Sequence, residues 1–371
     1  MNIGFEAKRI FHNSSGLGNY GRNLLRALAQ HFPQHQYQLF NPKKGVYTFG
    51  NEWSHVSEVL PPYTNALYAQ WWRQNLVSQH AKKKQVNIFH GLSAELPKGL
   101  DKAGIPSVVT IHDLIFLRYP ELYKNVDRKI YTKKAKWACK RADKIVAISQ
   151  QTKSDLQQFL NIPEEKISVI YQGVNPVYWE DFNTETLTNT LAKYKLPTKF
   201  GLFVGTLETR KGVDKILEAI RISRVPMVFI GRKTAFWESQ LKLSENQQIK
   251  NLIYNPTVKS NTELAHIYQL ANFFLYPSIF EGFGIPVLEA LTSKTPVITS
   301  NISSLPEVAG PSSILVNPKN ADEIAAAQTQ LWENPKLCKQ IAEDGFTFAH
   351  NFNDPSIAWH WINLYQSLLK N

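Results

Sequence analysis

Short runs of β-branched and aromatic residues alternate along the whole chain with stretches of helical periodicity. No other feature restricts the fold as much. Continuous apolar runs of this length are buried on both faces, so they belong to parallel sheets covered by helices. In the first half the spacing predicts strands at Asn2–Ala7, Tyr37–Phe40, Val86–His90, Ser107–Ile111, Lys144–Ile148 and Ile167–Ile170. In the second half it predicts them at Gly201–Val204, Met227–Ile230, Leu252–Tyr254, Asn272–Tyr276, Pro296–Thr299 and Ser313–Val316. A chain of 371 residues exceeds what one core usually supports. The segment from Gln172 to Lys199, with Gly173, Pro176, Pro197 and a polar stretch at Asn183–Thr190, reads as the hinge. Two doubly wound α/β halves of similar size result, residues 1–175 and 176–354, with a ligand cleft expected between them. Asn353-Asp354-Pro355 ends the second half, and Ser356 to Leu369 reads as a helix rich in Trp and Leu.

A net charge of +12 and a pI near 9.4 favour anionic partners such as nucleotides, phosphates or acidic lipid surfaces. The basic residues concentrate at Lys82-Lys83-Lys84 and from Arg128 to Lys144. They read as a solvated helix face, while Ile130, Tyr131 and Trp137 keep peripheral contact with an anionic membrane open. No nucleic-acid-binding module is recognisable, so no nucleic acid partner is expected. Cys139 and Cys338 fit no zinc or redox spacing, which points to a reduced, cytoplasmic compartment. The N-terminus reads directly as a strand without an apolar signal region, and no apolar run approaches the roughly 18 residues of a membrane span. The expectation is a cytoplasmic protein, with peripheral association at the inner membrane face left open.

Gly16-Leu17-Gly18-Asn19-Tyr20-Gly21 spells G-x-G-x-x-G before a helix expected to begin near Tyr20. A dinucleotide site is disfavoured, because Lys8 to Ser15 separates the glycines from the first strand. Nor does any Asp or Glu occur between Glu6 and Glu52 to hold a ribose. Two readings stay open: backbone amides approaching an anion at a helix N-terminus, or a structural tight turn.

Two stretches of the second half share one architecture. Phe203-Val204-Gly205-Thr206-Leu207-Glu208-Thr209-Arg210-Lys211-Gly212 runs from a strand end into a helix. Adjacent cations at that N-terminus conflict with the helix dipole, and an anion between them would relieve the conflict. Ser278-Ile279-Phe280-Glu281-Gly282-Phe283-Gly284-Ile285-Pro286-Val287-Leu288-Glu289 likewise leaves a strand through a loop poor in side chains. It enters a helix with Pro in its first turn. Glu281 and Glu289 can border one pocket, with loop amides supplying an anion site between them. Capping and the dipole would also account for each acid taken singly.

Arg210-Lys211 followed by Glu281 and Glu289, seven residues between the acids, resembles the retaining GT-B glycosyltransferases of the group 1, Glu-x7-Glu type. The resemblance runs from SSGLGNYGRNLL through HDLIF, VGTLETRKG and YPSIFEGFGIPVLEAL to TPVITSNISSLPEVAG. The last segments look most like bacterial mannosyltransferases of surface-polysaccharide assembly. The resemblance implies two facing Rossmann-like domains, an acceptor side in residues 1–175 and a donor side in 176–354. The C-terminal helix, 355–371, would cross back to the first domain.

It also implies roles. Arg210 and Lys211 would hold the donor diphosphate, and Glu281 the sugar hydroxyls beside Ser278, Gly282, Phe283, Gly284 and Ile285. Glu289 would bind the ribose, and Gly16 and Gly18 would close on the phosphates. Gly205 and Thr206 would border the donor, and Gly231, Arg232 and Val258 would flank the base. His112 would lie beneath the sugar, although a strand-end histidine bonded to a neighbour is the plainer reading of it. The partners implied are a nucleotide sugar, GDP-mannose favoured and a UDP-sugar possible, and a glycan or lipid-linked acceptor; no cofactor is implied. No Asp-x-Asp occurs in the chain, so metal-independent transfer is expected. A nucleotide-sugar epimerase on the same fold, or a nucleotide-sugar binding protein, is the alternative.

Overall fold

The computed structural model describes residues 1–63, 65–246 and 249–370. The chain forms two compact units, Met1–Gly173 together with Phe352–Asn371, and Val174–Asn351. The first unit is built on seven parallel strands: β1 (Asn2–Glu6), β2 (Gln36–Phe40), β3 (Val56–Val59), β4 (Ile88–Gly91), β5 (Ser107–Ile111), β6 (Lys144–Ala147) and β7 (Ile167–Val169). Their order across the sheet is β3-β2-β1-β4-β5-β6-β7. The second unit has six parallel strands: β8 (Gly201–Val204), β9 (Met227–Ile230), β10 (Ile253–Tyr254), β11 (Phe273–Tyr276), β12 (Val297–Ser300) and β13 (Ile314–Val316). They run β10-β9-β8-β11-β12-β13. Both are Rossmann-like, as the alternation of apolar runs and helices requires.

Central strands such as β5, SVVTI, and β11, FFLY, are buried along their whole length, which is why they read as continuous apolar runs. Each sheet reverses its strand order once, between β1 and β4 in the first unit and between β8 and β11 in the second. Ligands in open α/β sheets bind beyond the carboxyl ends of strands at such a switch point.

Three local expectations are corrected. Strand β3 was not expected: it is a mostly exposed edge strand, VSEV, so no continuous apolar run marks it. The helix near Tyr20 begins at Gly16 and runs to His31, placing the three glycines in its first turns and not in a loop. The polar stretch assigned to the hinge forms the helix Thr184–Tyr194, whose Asn183 cap accepts from the Thr186 amide at 2.8 Å.

The C-terminal helix Asp354–Leu369 is capped by Asn353, whose side chain accepts from the Ser356 amide at 2.9 Å, and has Pro355 in its first turn. It packs on the helix Gly16–His31. Ile357, Ala358, Trp361, Ile362 and Tyr365 enter the same core as Leu24, Leu28 and Phe5. The ion pair Arg26–Asp354, 2.9 Å, closes the contact. Trp361→Ala is expected to lower the stability of the first unit by about 3 kcal/mol, read as a reduced urea midpoint at unchanged m-value.

Candidate active site

The loops after β8 and β11 are stitched together across the switch point of the second sheet. After Gly205 and Thr206, the turn Thr209–Lys211 leads through Gly212 into the helix Val213–Ser223. Gly212 takes φ 73°, and a Cβ there would overlap the Pro277 carbonyl, so only glycine lets the two loops approach this closely. Ile279 N donates to Arg210 O at 3.0 Å, and Arg210 Nη1 donates to Phe280 O at 2.7 Å.

Glu281 is the centre of this junction. Its Oε1 accepts from Ser278 Oγ at 2.6 Å, Tyr276 OH at 3.0 Å, Arg210 Nη1 at 3.3 Å and Lys211 Nζ. Its Oε2 has no partner among the described residues. Burial works to raise the Glu281 carboxyl, but the Lys211 and Arg210 charges outweigh it and hold the group below the usual carboxylate value. Burial likewise pulls the Lys211 ammonium down, and Glu281 offsets this only in part. Arg210 Nη2 also reaches Glu208 at 2.9 Å, a side chain one-third exposed. The anion that the adjacent cations demanded is therefore supplied first by the chain itself.

The loop is less bare than its glycines suggested. The Glu281 amide donates to Ser303 Oγ at 3.1 Å, and Ser303 and Ser304 hydroxyls each return a bond to the Glu281 carbonyl at 2.9 Å. Ser304 also donates to Phe283 O at 2.8 Å. Gly284, with φ 118°, then caps the helix Ile285–Thr292, which carries Pro286 in its first turn.

Glu289 does not reach back to this loop. Its Oε2 accepts from Tyr268 OH at 3.0 Å, with the Tyr178 hydroxyl also bearing on it, and the two acids share no partner. Burial raises the Glu289 carboxyl to about 7, against the two tyrosine hydroxyls that favour its charged form.

The loops proposed for the base follow β9 and β10. Gly205 N donates to Ile230 O at 2.9 Å and Leu207 N to Arg232 O at 3.0 Å. A Cβ at Gly231 would overlap the Gly205 carbonyl. Val258 lies beyond β10, where Asn255 Nδ2 donates to Phe229 O at 2.6 Å. From β10 to β11 the strand ends cover about 14 Å at the usual strand spacing.

In the first unit packing accounts for Gly18 and Gly21 of the glycine pattern, and not for Gly16. The Gly18 amide donates to Ser15 O at 2.9 Å, and a Cβ on Gly18 would overlap the Asn13 carbonyl, so this glycine serves close contact and not an open amide. Gly16, at the first helical position, has no neighbour within 4 Å of where a Cβ would stand. His112 Nε2 donates to Leu92 O at 2.9 Å, and the Tyr20 ring meets it edge-on with centroids 4.6 Å apart. A carbonyl can only accept, so Nε2 carries the proton and Nδ1 presents a lone pair. Burial holds the His112 imidazole down at about 4, so the ring is neutral at physiological pH.

Among the described residues, no three His, Cys, Asp or Glu side chains gather as a metal site would. Sequence reading missed Tyr276, Ser303, Ser304, Tyr268 and Tyr178. Tyr276 was legible as the last residue of an apolar strand; nothing local marks the others.

Two family models match the chain, "Glycosyl transferases group 1" over residues 191–348 and "Glycosyltransferase Family 4" over residues 14–178. The chain is a glycosyltransferase, each half of it matched by one of these models. The O-antigen chain mannosyltransferase B of Escherichia coli is 29% identical over 293 residues, 76% of this chain and 74% of that one. The serotype-specific mannosyltransferase WbdA of the same organism is 28% identical over 294 residues, 76% of this chain. The alignment spans only 36% of that longer relative. The solved Anabaena protein HepE, in complex with UDP and glucose, superposes with a TM-score of 0.73 at 16% identity, over 99% of this chain and 100% of that one. That likeness establishes the GT-B fold of this glycosyltransferase.

The raised Glu289 carboxyl has a stability consequence. The folded state binds a proton that the unfolded state releases between its ordinary value and about 7, so stability falls as pH rises through that window. Between pH 5 and pH 8 the wild type should lose about 2–3 kcal/mol from this group. Glu289→Gln should flatten that slope in urea titrations at the two pH values.

Proposed function

We propose that this glycosyltransferase moves a hexosyl unit, mannosyl favoured, from a nucleoside-diphosphate sugar to a glycan or lipid-linked acceptor. The transfer retains anomeric configuration, needs no metal, and serves surface-polysaccharide assembly. GDP-mannose is the favoured donor and a UDP-sugar the second choice. The observation that carries this reading is the division of labour within Glu281. One oxygen is held by Ser278, Tyr276, Arg210 and Lys211, and the other is uncommitted and able to accept from a sugar hydroxyl. The mannosyltransferase relatives support the sugar, and the UDP-bound HepE supports a nucleotide donor. The missing Asp-x-Asp supports metal independence.

In this reading Arg210 and Lys211 face the donor diphosphate, near the N-terminus of the helix Val213–Ser223. As the glycosidic bond to phosphate lengthens, negative charge grows on the leaving phosphate, and these cations stabilise it without reorganisation. Glu208, the half-buried partner of Arg210, is the counter-ion a phosphate displaces. The acceptor attacks on the face the phosphate leaves, and that phosphate takes the acceptor proton. Glu281 fixes the sugar hydroxyls while keeping Lys211 charged. His112 accepts from a sugar hydroxyl through Nδ1, Glu289 binds ribose, and the loops at Gly231-Arg232 and Val258 flank the base. Gly16 lies at a helix N-terminus that can meet phosphate. The basic surface allows peripheral contact with an anionic membrane, and the compartment is cytoplasmic.

Glu281→Gln keeps the side-chain shape but removes the charge that balances Lys211. It should lower transfer from GDP-mannose by about 100-fold or more with the circular dichroism spectrum unchanged. Activity within threefold of wild type would sink the assignment. Transfer should persist in EDTA, whereas full loss there, restored by Mg²⁺ or Mn²⁺, would refute the metal-free reading. Release of a C2-inverted sugar without acceptor would indicate an epimerase instead.

A further inference from the structure

Tyr276, the last residue of β11, is 1% exposed and stands within the Glu281 cluster. Two phenylalanines stack on its ring. Phe203 of β8 lies with centroids 5.7 Å apart at 29°, and Phe274 of β11 with centroids 5.7 Å apart at 20°. A buried aromatic side chain packed in this way has few ways to move, so its hydroxyl has a fixed place.

That hydroxyl bridges the two charged groups of the cluster. Lys211 Nζ donates to Tyr276 OH at 2.6 Å, and Tyr276 OH donates to Glu281 Oε1 at 3.0 Å. The directions follow from chemistry, since an ammonium can only donate and an ionised carboxylate can only accept. Lys211 also donates directly to Glu281 Oε1, which closes a ring of three hydrogen bonds. Burial, with the Glu281 charge beside it, raises the Tyr276 phenol well above its ordinary value. The hydroxyl therefore keeps its proton and is a neutral bridge.

What the ring leaves over decides its use. An ammonium has three N–H groups, and two of those on Lys211 are engaged by protein among the described residues. A lysine on its flexible four-carbon stem turns unless two of its donors are fixed, and fixing two tetrahedral directions sets the third. Glu281 fixes one. Tyr276 fixes the other from a ring locked by stacking. Glu281 Oε2 is the second group left over. It has no partner and is not sealed from solvent, in a side chain 14% exposed.

We propose that Tyr276 is a positioning residue for glycosyl transfer. Its hydroxyl aims the third Lys211 N–H at the donor diphosphate and holds the Glu281 carboxylate with Oε2 toward the sugar. Tyr276 touches no reacting atom and acts through those two side chains. The role rests on the donor reading above and adds to it a residue outside the Arg-Lys and Glu-x7-Glu motifs. The same hydroxyl favours charge on both neighbours, because it accepts from the ammonium and donates to the carboxylate. It thus opposes the fall that burial imposes on Lys211 and the rise that burial imposes on Glu281. The other groups facing this ring are Arg210 and Glu208, with Tyr268 bearing on Tyr276 from the helix Asn261–Leu270.

The test is Tyr276→Phe, which keeps the stacked ring and removes only the hydroxyl. Its kcat for transfer from GDP-mannose should fall about 10- to 100-fold, with KM for the donor within about threefold of wild type. Without the hydroxyl, Lys211 loses its proton at lower pH and Glu281 gains one at higher pH. The pH profile of kcat/KM should therefore narrow from both sides, each limb moving by about half a pH unit or more. Phe203→Leu loosens the same ring but keeps the hydroxyl, and should leave both limbs in place. Competitive acylation of Lys211, read by mass spectrometry, follows its ionisation without any substrate. In Tyr276→Phe that acylation should begin at lower pH than in wild type. A kcat within threefold of wild type overturns the proposal. So do unmoved limbs and unmoved acylation in Tyr276→Phe, or limbs that move equally in Phe203→Leu, since packing then accounts for the tyrosine. If wild type transfers from no nucleotide sugar while the acylation still moves to lower pH, the donor reading fails and the bridge between Lys211 and Glu281 stands.

Discussion

The buried pairing of Glu281 with Lys211 and Arg210 is the interaction on which the second unit's chemistry depends. It joins the loops that leave β8 and β11, the two strands flanking the switch point, and so fixes the spacing of the crevice between them. Removing one member of such a pair leaves an uncompensated buried charge, a loss of about 3–5 kcal/mol, so the cluster must be kept whole. Because Glu281 is held through one oxygen, the cluster locks its rotamer and leaves the other oxygen uncommitted. A carboxylate that both neutralises a lysine and presents an oriented acceptor needs this arrangement. Tyr276 and Ser278 complete it by donating to the bound oxygen and never to the free one.

The first unit repeats the arrangement with the charges exchanged. At its switch point one guanidinium, Arg73, bridges two carboxylates, where in the second unit one carboxylate gathers two cations. In each case the strand order separates neighbouring loops and leaves a crevice that buried charges line. In the second cluster the two cations stand just before the N-terminus of the helix Val213–Ser223.

The fold was legible because its information is local and redundant. Strand runs such as SVVTI and GLFV are buried on both faces and read as such without tertiary knowledge. The exposed edge strand β3 was not legible, since nothing in VSEV separates it from loop. The site divided along the same line. Lys211 and Glu281 stand in the segments that leave β8 and β11, where chain direction puts them toward the carboxyl edge. Glu289 sits within a helix, so its direction depends on which neighbours surround it, and those are tyrosines from distant segments, 178 and 268. The glycines of GLGNYG left two readings open because glycine answers both to close packing and to ligand approach. Gly18 against the Asn13 carbonyl is the first of these.

The C-terminal helix extends this logic to His112. Tyr365 OH meets His90 Nδ1 at 2.8 Å, His90 Nε2 meets Thr110 Oγ1 at 2.8 Å, and Thr110 meets Tyr20 OH at 3.1 Å. The Tyr20 ring in turn packs against the edge of His112. His90 is fully buried with both nitrogens engaged, and burial depresses it to about 3, so it is a neutral relay of orientation and not a base. Trp361 packs against the same ring, tilted by 30°, with centroids 4.4 Å apart. A helix from the far end of the sequence therefore sets the plane of His90, and through Thr110 and Tyr20 the wall against which His112 rests. His112 owes its tautomer to the Leu92 carbonyl and its placement to this chain of contacts. That explains why residues 352–371 belong to the first unit and not to the unit that precedes them in sequence.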